Sequence, residues 1–133
     1  GKMMEIRDKN NKLLAMIFSP NDYKDEKHFL TEDSNEFQIA QFNLDEATEI
    51  KRHIHKDQER KINKTSEVII VNEGSLELEI YDEELKLVTK EIVNQGQVIA
   101  LFNGGHGFKT LTKSKFLEVK QGPYFEDQDK ERF

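Results

Sequence analysis

The chain has 133 residues, no cysteine, and 20 basic against 26 acidic residues, for a formal net charge of -6 at pH 7. These figures exclude a disulfide scaffold, a thiolate metal site and a cysteine nucleophile, and the acidic balance suits neither a nucleic-acid backbone nor an anionic membrane as partner. They leave one domain, large enough to bury a core, whose metal or acid–base chemistry must run through four histidines or through carboxylates.

In chain order, Lys2-Met3-Met4-Glu5 leads into Arg7, Asp8 and Lys9 rather than a long apolar run, so no signal peptide is expected and the expected location is cytoplasmic. Residues 12–18, bounded by Asn10-Asn11 and by Ser19-Pro20-Asn21-Asp22, predict a first strand. Its apolar run falls far short of the roughly 20 residues that cross a bilayer. A polar stretch over 23–35 precedes a second strand over 37–42, which Asn43-Leu44-Asp45-Glu46 ends. Residues 50–55 read as extended. Residues 56–66 form a polar insertion, a loop or ragged hairpin, and with Lys56, Arg60, Lys61 and Lys64 it is the most basic segment of an acidic chain.

Further on, Leu76, Leu78 and Ile80 share one face while Glu77 and Glu79 share the other, the period of a half-buried strand. Tyr81-Asp82-Glu83-Glu84 gives a turn, 85–93 a return strand, Asn94-Gln95-Gly96 another turn, 98–102 an apolar strand and 115–120 the last clear one. Short strands with turn signals between them, and no helical stripe, predict an all-β sandwich or small barrel. The charged tail over 126–133 ends in an aromatic, Phe133, which hints at docking.

The histidines carry the chemistry. His53 and His55 are one residue apart on the expected strand over 50–55, so both imidazoles share a face while Ile54 points away. Glu67 opens the next apolar strand, and His106 follows the strand over 98–102 within Gly104-Gly105-His106-Gly107. Neutral imidazoles with one carboxylate suit divalent iron, manganese, nickel, zinc or copper, and leave coordination positions open for water or substrate. A closed structural zinc site would more often include sulfur.

His53-x-His55, then Glu67 followed by Gly74, then Gly96 through His106, resembles the two-part cupin motif, over about residues 50–120. Gly104-Gly105-His106-Gly107-Phe108 and Glu118-Val119-Lys120-Gln121-Gly122-Pro123-Tyr124 resemble small single-domain cupins, a group without an assigned activity. The resemblance implies a double-stranded β-helix, or jelly-roll, cupin barrel over about 37–120, with an N-terminal strand over 12–18 and a C-terminal tail over 121–133. It also implies one divalent transition metal held by His53, His55, Glu67 and His106. The chain departs from the family pattern in the 11 residues between His55 and Glu67, where the family has a short gap, and in Phe102, where the family has proline. Glu59 lies at the usual short distance and competes with Glu67 as ligand. Glu67 is preferred, because a ligand at the start of a strand is held by the ladder while one in a charged loop must be ordered.

Around that centre, Arg60 on the basic insertion and the aromatics Phe102 and Phe108 are expected to contact a small polar or anionic ligand. Tyr124 and Glu118 are the weak candidates for acid–base work. The ligand is expected to be a sugar- or keto-acid-like metabolite, met by a metal-dependent isomerase, epimerase or oxygenase, or by a non-catalytic binding or sensing module. Apolar Val68, Ile70, Leu117 and Val119 lie on strand faces opposite the expected interior, so the N-terminal strand or a second subunit is expected to cover them, the latter giving a homodimer.

Overall fold

A computed structural model, described here over residues 3–133, is an all-β sandwich of antiparallel sheets, none of them closed into a barrel. β1 (Met3–Arg7) and β2 (Leu13–Phe18) form a hairpin whose turn is dictated locally. The Asp8 carboxylate accepts the backbone N–H of Asn10 and Lys12 at 2.8 and 2.9 Å, and Asn11 takes the left-handed conformation that asparagine tolerates. β3 (Lys27–Phe29) and β4 (Ala40–Phe42) make a small separate ribbon. β5 (Glu67–Glu73) and β6 (Ser75–Tyr81) are joined through Gly74, where φ is +85° and a Cβ would lie 2.2 Å from the Lys113 carbonyl oxygen, so only glycine fits. β7 (Leu87–Asn94), β8 (Val98–Leu101), β9 (Gly105–Thr110) and β10 (Lys115–Lys120) follow, and Glu126–Asp129 is a single helical turn.

The strands assemble as a five-stranded sheet in the order β1-β2-β8-β5-β10 and a three-stranded sheet in the order β7-β6-β9. Between them lies the main core, with Leu14, Ile69, Val71, Leu76, Leu78, Ile80, Val93 and Ile99 essentially removed from water. β2 and β8 are apolar on both faces because the larger sheet is covered on its other side too. There Met16, Phe18, Val98 and Ala100 pack beneath Tyr23, Leu30, Phe37 and Ile39. Among the described residues no helix is long and apolar enough to cross a membrane.

Several elements differ from expectation, each for a physical reason. β1 and β9 were not foreseen: the first is short and mixed in polarity, and the second carries Gly105 and Gly107, which weaken strand propensity. β9 forms because β6 offers it an edge, placing Phe108 opposite Leu78 and His106 opposite Ile80. The expected strand over 37–42 shrinks to β4, and 50–55 is no strand at all, because no neighbour supplies its hydrogen bonds. Val68 and Ile70 are half-buried under the segment that carries Tyr23 to Ile39 rather than under an N-terminal strand, while Leu117 and Val119 stay 52% and 47% exposed.

Glu83, in the turn between β6 and β7, fastens the two ends of the fold. One carboxylate oxygen meets Lys12 at 2.7 Å and the other meets Lys64 at 2.8 Å, holding its pKa at about 2. A carboxylate so depressed adds stability above its unfolded value near 4.5, and that stability drains away as pH falls towards about 2. The pair is half-exposed, so its share is about 1 kcal/mol or less. Glu83→Gln is therefore expected to lower stability at pH 6 and to flatten the stability slope between about pH 4.5 and 2, as urea titrations at each pH will read. In the core, Leu78→Ala is expected to cost about 2–5 kcal/mol, while the exposed Leu87→Ala stays within about 0.5 kcal/mol.

Candidate functional site

At one end of the sandwich β9 and β10 part, and a cleft of about 700 Å³ opens between them. Its walls come from β5, β6, β8, β9 and β10, and its rim comes from Asn63 to Thr65 and from the C-terminal residues Asp129 to Phe133. Inward-facing positions on a strand recur every second residue, so the register alone fixes what the cleft contains. Glu67 begins β5 and pairs with Lys120 across the ladder, two residues from Glu118 on the same face of β10. His106 and Phe108 point inward from β9.

Glu67 is the centre of this group. It is 8% exposed, and its Oε2 accepts from His106 Nε2 at 3.1 Å, so a residue of one sheet touches a residue of the other. Burial pushes the Glu67 carboxyl up, but hydrogen bonds from His106 and Glu118 outweigh it and hold the group below its ordinary value. The same bond to Glu67, then burial, pushes Glu118 up. The two carboxyls are thus pushed apart, Glu67 towards the anion and Glu118 towards the protonated form. Lys120 turns its ammonium to Asp129 at 3.2 Å, a largely covered ion pair that fastens the tail.

The structure brings together only part of the expected set. Glu67 and His106 meet, and Glu118 joins them. Phe102 is buried at the cleft wall, and Phe108 lies 5.4 Å from the His106 ring and stacks on Phe116. His53 and His55 lie with their rings 5.3 Å apart on an exposed segment that does not line the cleft, and Glu59 and Arg60 are on the same exposed segment. Tyr124 is outside the cleft as well, its ring under the Lys120 ammonium at 5.1 Å. Among the described residues no three histidine, aspartate or glutamate side chains converge as a metal cage.

Sequence reasoning missed Lys120, Asp129, Tyr81 and Arg132, all at the cleft. Lys120 was available from the period-two rule once Glu118 had been singled out. The tail residues carry no signal of their own beyond the terminal aromatic. Phe133 does dock: its ring meets Tyr81 edge-on at 4.9 Å and lies over Gly105. The chain matches no protein-family model, and no curated protein or solved structure matches it.

A Cβ at Gly105 would stand 2.7 Å from the Phe133 ring, the movable end of a side chain. Gly105→Ala is therefore expected to displace Phe133 from Tyr81 while leaving unfolding free energy within about 1 kcal/mol of the parent. Loss of the Tyr81–Phe133 nuclear Overhauser contact, with an unchanged urea midpoint, is the reading that supports this docking.

Proposed function

We propose that this chain is a cupin-type metalloprotein that binds or transforms a small polar or anionic metabolite, sugar- or keto-acid-like, at the cleft. The observation that carries the reading is the meeting of Glu67 and His106 across the two sheets. Both sit where the sequence motif asks for ligands, and both lie on rigid strands. The winding adds support. β8, β9 and β10 alternate between the sheets, and the orders β10-β5-β8 and β9-β6-β7 are compatible with a jelly roll.

The proposed donors are His53, His55, Glu67 and His106, a nitrogen-and-oxygen set suited to divalent iron, manganese, nickel, zinc or copper. The Glu67–His106 pair fits such an ion: an anionic oxygen and an imidazole nitrogen are already pointed at each other in a recess. An ion bound there would supply Lewis-acid or oxygen-binding chemistry. Beside it Glu118 lines the cleft while Tyr124 does not, which makes Glu118 the better placed acid–base candidate. Lys64, Lys130 and Arg132 at the rim give an anionic ligand its charge partners in place of Arg60. Exposed Leu117 and Val119 and the arm described below support a homodimer.

Metal analysis of untagged protein tests the reading. About one ion per chain is expected for the parent and a loss of tenfold or more for Glu67→Gln with His106→Ala. Equal, substoichiometric metal in both proteins would sink the assignment. Ligand screening with sugar phosphates and keto acids then separates turnover from binding alone.

A further inference from the structure

Two features of this chain complement each other and are not joined within it. The first is a pair of bare edges. Among the described residues β9 pairs only with β6 and β10 only with β5, and these two edges lie side by side, as the stacking of Phe108 on Phe116 at 6.3 Å demonstrates. Both rings point into the sandwich, yet they are 36% and 44% exposed, because nothing flanks them. The second feature is an arm. Every residue from 42 to 65 is exposed, and 49–65 make no backbone–backbone hydrogen bond. Ile54 is 88% exposed and Ile50 63%.

An irregular segment with naked amides and a sheet edge with naked amides can satisfy one another once the segment extends along the edge. We propose that two copies of the chain exchange these arms, so that the partner's His53 and the partner's His55 enter the cleft beside Glu67 and His106. The centre is then built from both subunits. This rests on the metal-centre reading above, and it supplies the donors that a single chain leaves outside.

Three observations favour a second copy over some other occupant. The arm is fixed at its base, where the Glu36 carboxylate accepts the backbone N–H of Asn63 and Lys64 and Lys64 reaches Glu83, yet beyond this base it stands clear of its own body. Held at Asn43 on one side and at Asn63 on the other, the loop carries His53 and His55 at most about 30 Å from its base, enough to reach an adjoining sandwich. Residues 50–64 carry six basic and two acidic side chains, a local charge of +4 on a chain of -6, so the arm is drawn to the rest of another copy, which carries -10. The pattern of the arm also fits. Along an extended strand His53 and His55 share one face, and laid against β9 that face joins the one carrying His106. An exchange of arms between identical chains is reciprocal, so both edges and both arms are covered by one two-fold operation.

Co-refolding of isotopically light and heavy chains, followed by lysine cross-linking, tests the exchange independently of any metal. Links between Lys51 or Lys56 and Lys109 or Lys115 that join light to heavy peptides are expected. Such links confined to light–light and heavy–heavy pairs in a dimer, or a monomer by light scattering, would overturn the proposal. For the shared centre, a His53→Ala, His55→Ala chain is mixed with a Glu67→Gln, His106→Ala chain. Arm exchange leaves one intact donor set in the mixed dimer, so about one ion per mixed dimer is expected against almost none in either parent. No recovery of metal in the mixed dimer, with a metal-loaded wild type, would show the donors to be gathered within one chain. If wild type itself binds no metal while mixed cross-links form, the metal reading fails and the exchange stands.

Discussion

Leu76, Leu78 and Ile80 on β6 face Ile69 and Val71 on β5 and Ile99 on β8, and this contact between the two sheets positions everything else in the molecule. β5 and β6 are consecutive strands that lie in different sheets, joined only by Gly74, so the register of one constrains the register of the other. Shifting β6 by one residue would turn Leu76, Leu78 and Ile80 to water and Glu77 and Glu79 inward, at a loss of about 1.5–3 kcal/mol for each buried aliphatic group. Glu67 points into the cleft because it is in phase with Ile69 and Val71. His106 points at it because β9 is locked to β6 with His106 opposite Ile80. The contact between Glu67 and His106 is thus a consequence of core packing several residues away, and needs no dedicated scaffold.

The electrostatics of the cleft follow from the same placement. Glu67 is buried enough for its charge to be expensive, and it stays ionised because His106 and Glu118 both donate to it. Had Glu118 been displaced to the other face of β10, Glu67 would have lost one of the partners that hold its carboxyl down. Lys120, next on that face, neutralises Asp129 and so holds the tail across the opening. One alternation on β10 therefore places Phe116 against Phe108, Glu118 beside Glu67 and Lys120 as the anchor of the rim.

Much of this was legible in the sequence where local pattern and tertiary demand agree. The strict alternation from Leu76 to Ile80 and the unbroken apolar run from Val98 to Leu101 became strands because their side chains had a core to enter. Glu67 and His106 were legible as partners through motif order. β9 was not, because its glycines argue against a strand and only the edge of β6 makes one. The tail's docking was legible only as a hint, since Phe133 packs on Tyr81 through a long-range contact that no local pattern encodes.

Residues 50–55 show the limit most clearly. Ile50 and Ile54 on one face and His53 and His55 on the other form as good a strand pattern as that of β6, but this segment has no partner in its own chain. An alternating pattern specifies which face seeks an interior, and it does not specify whose interior. When such a segment stands fully exposed beside two bare edges, the pattern and the structure conflict only if the chain is taken alone. The proposed second copy would remove the conflict without changing one residue. The proposed exchange would pair the edges and close the opening beside Phe108 and Phe116, the place where the core of the single chain reaches water.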